Sequence, residues 1–163
     1  MGTGILEELA FRLLDAGMSA EEIADALEKE KKKIVVVALV DTLKYLKRGG
    51  RISSATAVLG TMLSIKPIIT FSDDGQLQSI AKVRGRRQVQ DKILELLRAR
   101  FQSGRRYNLA VANGGAPEEM AEFAARLKAE FPNYEHFWEG VMDATLSVYI
   151  GDGVIGGGIQ FLD

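Results

Sequence analysis

Apolar residues change their spacing several times along this chain, and each change marks an element. Ile5, Leu6, Leu9, Leu13 and Leu14 recur at helical spacing, and Gly17 stands where a C-terminal cap would. Ser19-Ala20-Glu21-Glu22 is a capping-box pattern. It opens a second helix to about Lys33, with Ile23, Ala26 and Leu27 as its inner stripe. Ile34–Val40 is a β-branched run without polar alternation, which predicts a strand covered on both faces or a central strand.

Asp41 can cap a short helix over Thr42–Lys47, ended by Gly49-Gly50. Ser53 or Ser54 then caps a helix from about Ala55 to Leu63. Lys66–Ser72 and Gln76–Val83 flank the turn Asp73-Asp74-Gly75 and predict a β-hairpin. A long helix follows over Arg86–Phe101, then a strand over Tyr107–Ala112. Asn113-Gly114-Gly115 predicts a loop, and Pro117 begins a helix to Glu130. Phe137–Met142 and Thr145–Ile150 are expected strands, Gly151–Gly158 a glycine-rich loop, and Ile159–Leu162 a last short strand. This order predicts an α+β layered sandwich of a mixed or antiparallel sheet with helices. No internal linker or repeat divides residues 1–163, so one domain is expected.

Composition narrows the function. The 163 residues are 47% apolar and 26% charged, ordinary globular usage. A net charge of -1 gives no bulk attraction to nucleic acid or to a membrane surface. Cysteine is absent, which excludes disulfides, thiolate metal sites and a cysteine nucleophile. No apolar run reaches the roughly 18–20 residues of a membrane span, and the N-terminus lacks a secretion signal, so a cytoplasmic protein is expected. Met1-Gly2-Thr3 runs almost at once into a helix, which suggests a piece of a longer protein.

Four segments are candidates for function. Arg48 and Arg51 flank Gly49-Gly50, where guanidinium groups and freed backbone amides suit an anion, or where a plain helix-turn-helix carries solvated cations. Ala55, Val58, Leu59, Met62, Leu63, Ile65 and Ile68 give an apolar face with small residues Ala57 and Gly60, a wall for an acyl chain or an ordinary core helix. Lys82-Val83-Arg84-Gly85-Arg86-Arg87 places four cations at a strand-to-helix junction, where the helix dipole opposes them unless acidic groups offset the cost. The segment lacks interleaved aromatics, so no nucleic-acid partner is inferred. Gly151–Gly158 follows a strand but has no helix after it, so it is no dinucleotide fingerprint. His136 is the only histidine, and Asp41, Asp143 and Asp152 form no acid–base pair or metal cluster by spacing. No catalytic set, metal site or cofactor is expected.

The run Asp41-Thr42-Leu43-Lys44-Tyr45-Leu46-Lys47-Arg48-Gly49-Gly50-Arg51-Ile52-Ser53 resembles the signature of the DegV family. Leu59-Gly60, Leu63-Ser64-Ile65-Lys66-Pro67-Ile68, Lys82-Val83-Arg84-Gly85 and Gly115-Ala116-Pro117-Glu118-Glu119 continue the resemblance in order. It implies two α/β domains with a fatty acid between them, of which this chain would be the C-terminal one, the N-terminal domain being absent. It also implies that the chain buries the tail of a long-chain fatty acid and presents the carboxyl group to a fatty acid kinase subunit. Ile52, Ala55, Val58, Leu59, Met62, Leu63 and Ile68 would then line the tunnel, and Arg51, Arg84, Asp152 and Gly153 would face the head group or the kinase. The chain departs from the family where a histidine- and proline-containing loop is replaced by Gly151-Asp152-Gly153-Val154-Ile155-Gly156-Gly157-Gly158. The alternative is an excised or degenerate domain that binds no lipid and self-associates, as a homodimer, through its exposed apolar face.

Overall fold

The computed structural model of the chain describes residues 1–52 and 65–162. Helix α1 (Gly2–Asp15) and helix α2 (Ala20–Glu30) lead through a 3-10 turn (Lys31–Lys33) into strand β1 (Ile34–Leu39). Helix α3 (Lys44–Arg48) follows. Strands β2 (Ile65–Phe71) and β3 (Leu77–Arg84) form the expected hairpin, with a register shift between Ile68 and Ile69. Then come helix α4 (Val89–Arg100), strand β4 (Tyr107–Gly114), helix α5 (Pro117–Glu130), strand β5 (Phe137–Val141), helix α6 (Ala144–Ile150) and strand β6 (Val154–Phe161). The helix expected from Ala55 to Leu63 lies outside the described residues.

One mixed sheet carries the fold, in the order β3-β2-β1-β6-β4-β5. Among the described residues, β4 and β5 pair parallel and every other pairing is antiparallel. The predicted α+β layered sandwich is therefore the observed class. The capping box of α2 is formed as the sequence suggests: the Ser19 amide donates to the Glu22 carboxylate at 2.8 Å, and the Glu22 amide donates to the Ser19 hydroxyl at 3.3 Å. Accepting from the Ser19 backbone and then its hydroxyl holds the Glu22 carboxyl below its ordinary range.

β1 is covered on both faces, as its unbroken apolar run implied. Val37 and Leu39 point into the larger core cluster, with Ile93 and Leu97 of α4 and Phe123 and Leu127 of α5. Ala38 and the following Val40 belong to a second cluster on the other face, with Leu43, Leu46, Ile52, Ile69 and Val154.

Several expectations are corrected. Thr145–Ile150 lies in a helix, not a strand: the Asp143 side chain caps it by accepting from the Leu146 amide at 2.8 Å, and this local bond outweighs the β propensity of Thr145, Val148 and Ile150. Asn113 and Gly114 finish β4 rather than forming a loop. The long helix begins at Val89, not Arg86. The largest correction is Gly151–Gly158. Most of it is not a loop but the start of β6, which lies between β1 and β4 in the middle of the sheet.

Close packing explains that strand. A Cβ on Gly157 would stand 2.9 and 3.0 Å from the Phe123 ring and 3.3 Å from Leu97. A Cβ on Gly156 would stand 3.1 Å from the Ala38 Cβ, and one on Gly158 would stand 3.0 Å from the Val35 carbonyl oxygen. The sheet thus accepts glycine where alternation would demand an apolar side chain. Gly157→Ala is expected to destabilise the domain by roughly 1–3 kcal/mol through overpacking. In urea unfolding, the double substitution Gly157→Ala/Phe123→Leu should cost less than the sum of its two single substitutions.

Candidate functional site

The second core cluster supports a groove at one end of the sheet. Helix α3 turns Leu46 inward to this cluster, and the end of α6 packs Ile150 against it. The same two elements turn Tyr45 and Tyr149 outward. Between them lies a groove of about 630 Å³, lined by Tyr45, Arg48, Gly49, Ser147, Val148, Tyr149, Gly151 and Asp152.

Glycines set its shape. A Cβ on Gly49 would stand 2.4 and 2.9 Å from atoms of the Tyr149 ring. A Cβ on Gly151 would stand 2.7 Å from the Tyr45 ring, and Gly151 has φ +88°, a conformation that penalises a side chain. Each tyrosine therefore sits against the glycine that ends the facing helix. The Arg51 guanidinium lies over the Tyr149 ring, 4.8 Å from its centroid, a cation–π arrangement at the groove edge.

The turn before β6 closes the other side. The Gly153 amide donates to the Gly114 carbonyl at 2.6 Å. The Gly153 carbonyl accepts from Arg86 Nη2 at 2.7 Å. Arg86 Nε also donates to both Glu119 oxygens, at 2.5 and 2.7 Å, and its Nη1 lies 3.5 Å from Asp41 Oδ1. Lys66 Nζ donates to Asp41 at 2.6 Å. Asp41 is thus an ion-pair partner rather than a helix cap; the N-cap position of α3 is Leu43, without a side-chain cap, and the Thr42 hydroxyl before it accepts from the Lys44 amide at 3.2 Å. For Arg86 of the cation-rich junction, the acidic groups that offset its charge, Glu119 and Asp41, lie within the chain. The Asp152 carboxylate rests over Gly115, where a Cβ would stand 1.8 Å from its Oδ1.

The candidates from sequence fall in different places. Asp152 lines the groove, Gly153 follows it, and Arg51 flanks it. Arg84 ends β3 opposite Ile65 and is not among the lining residues. Ile52 is buried in the second cluster. Ile68 is buried in the larger cluster on the opposite face, and its neighbour Ile69 is the residue that joins Ile52. One step along a strand changes the face, so Ile52 and Ile68 do not share a wall. Ala55, Val58, Leu59, Met62 and Leu63 lie outside the described residues. Tyr149 was not singled out from sequence, because its match to Gly49 is a long-range contact without a local signal. Among the described residues, no cluster of three or more histidine or acidic side chains could hold a metal ion, and no helix is long and apolar enough to cross a membrane.

A family model for DegV proteins matches residues 1–161. The chain belongs to the DegV family. Among curated relatives, a DegV domain-containing protein of Clostridium acetobutylicum is 33% identical over 157 residues, covering 96% of this chain and 55% of the relative. Among solved structures, a DegV family protein from Thermus thermophilus, described for its fatty acid binding, superposes with a TM-score of 0.86 at 29% identity, covering 99% of this chain and 57% of that one. DegV of Bacillus subtilis, described as a fatty acid binding protein, superposes with a TM-score of 0.80 at 31% identity, covering 99% of this chain and 57% of its own. The chain spans about half the length of the curated relatives it matches.

Two glycine substitutions should separate the groove from ordinary helix positions. Gly151→Ala is expected to lose roughly 1–3 kcal/mol, since it adds backbone strain to a clash with Tyr45. Gly4→Ala, in α1 with open space around its Cβ, should gain about 0.5–1 kcal/mol. Urea midpoints of the two variants measure both.

Proposed function

We propose that this chain is a non-catalytic fatty-acid-binding module. The observation that carries the reading is the match to DegV of Bacillus subtilis, a fatty acid binding protein 31% identical to this chain and superposing on nearly all of it. The second apolar cluster, which shares α3 and α6 with the Tyr45–Tyr149 groove, supports it by placing apolar side chains next to a polar opening, the combination a hydrocarbon tail with a polar head requires. On this reading the tail passes Ile52 and is walled by Ala55, Val58, Leu59, Met62 and Leu63, with Ile69 on the sheet side. Asp152 and Gly153 stand at the polar end. Arg51, exposed over Tyr149, and Arg84, at the end of β3, meet a fatty acid kinase subunit. The other half of the DegV architecture would cover the groove in the full protein, which would act in the cytoplasm.

A second reading is self-association through the groove rim. Val148 is 70% exposed and Val141 78% exposed, with Leu146 and Tyr45 also exposed. Such apolar surface tends to find a partner, here a second copy.

Native mass spectrometry of the gently purified chain, followed by calorimetry with saturated acids of increasing length, tests the lead reading. Affinity should rise by about 0.8 kcal/mol per buried methylene until the tunnel is full. Absence of any retained acid, together with no dependence on tail length, would overturn it. A lipid-free dimer in sedimentation would favour self-association.

A further inference from the structure

We propose that Arg86 is a positioning residue for the groove mouth: it fixes the Gly151–Gly153 turn, and with it Asp152, where the polar end of a ligand arrives. This deepens the fatty-acid reading and rests on it for the ligand, but the local claim stands on geometry alone.

Arg86 belongs to neither wall of the groove, yet it bonds to three separated segments. Nε reaches Glu119 in the first turn of α5 at 2.5 and 2.7 Å. Nη1 lies 3.5 Å from Asp41, just beyond β1. Nη2 donates to the Gly153 carbonyl at 2.7 Å. A planar guanidinium can serve these directions together, and the single ammonium of lysine cannot. The two peptide groups that flank the Gly153 Cα are both held, because the Gly153 amide donates to the Gly114 carbonyl at 2.6 Å while its carbonyl accepts from Arg86. Gly153 itself has φ +76°, and a Cβ there would press within 3.2 Å of Arg86 Nη1, so the close approach of guanidinium and turn requires glycine. Asp152 precedes this clamped peptide and lines the groove. Glu119 alone would make Arg86 an ordinary surface ion pair of small worth. The bond to a backbone carbonyl at the groove mouth gives it a positional role.

The test is backbone amide hydrogen exchange by NMR on the wild-type chain, Arg86→Lys and Glu119→Ala, the last removing the acceptor that anchors Arg86 while leaving the arginine itself in place. Protection of the Gly153 amide should fall at least tenfold in both variants, while core amides such as Leu109 and Ile159 keep theirs. Unchanged protection at Gly153, or a loss that runs parallel across the core, overturns the proposal. A ligand arm compares palmitic acid with hexadecanol, which share a tail length. Arg86→Lys should bring their affinity ratio toward one while leaving hexadecanol binding within twofold; a ratio equal to wild type overturns the positional role. If the wild-type chain binds neither compound, the fatty-acid reading fails, and the exchange result still decides whether Arg86 holds the turn.

Discussion

Strand β6 has neighbours on both edges and packing on both faces, and that crowding governs the arrangement around it. Between Val35 and Leu39 on one side and Leu109 and Asn113 on the other, the strand has room for backbone but almost none for side chains at Gly156, Gly157 and Gly158. Phe123 and Leu97 press on one face there, and Ala38 with Met1 on the other. Interiors pack at the density of organic crystals, so a strand lacking side chains is filled by its neighbours moving in. The bulky residues of α4 and α5 can therefore reach the middle of the sheet, and the larger core closes around them.

The opposite face follows from the same constraint. Ala38, Gly156 and Gly158 make it shallow near the centre, and its larger side chains gather toward the Asp41 end, where Val40, Leu43, Leu46 and Ile52 form the second cluster. That is the end where α3 and α6 meet. The apolar cluster beneath and the polar turn at Gly153 are thus brought together by one strand, β6, which begins at the groove and runs back through the core.

Much of this was legible in the sequence, where local rules and tertiary packing agree. The unbroken run Ile34–Val40 announced a strand buried twice over, and Ser19 with Glu22 announced the start of α2. The hairpin of β2 and β3 was written in its turn residues. Failures arose where a long-range contact, or in one case a local cap, decided the outcome. Glycines at 156–158 read as a loop because the reason for them, Phe123 and Ala38, is distant in sequence. Thr145–Ile150 carries strand-forming residues, but the Asp143 cap starts a helix. For the candidate site, Asp152, Gly153 and Arg51 were named from the family resemblance and lie in or beside the groove, whereas Ile68 was grouped with Ile52 because periodicity does not say which face a bulged strand presents.

The two tyrosines of the groove are interlocked reciprocally: each occupies the gap left by a missing side chain on the opposing element. Tyr45 rests on Gly151 and Tyr149 on Gly49, so both contacts belong to one seam between α3 and α6. A side chain added at either glycine would press on the facing ring and push the two walls of the opening apart.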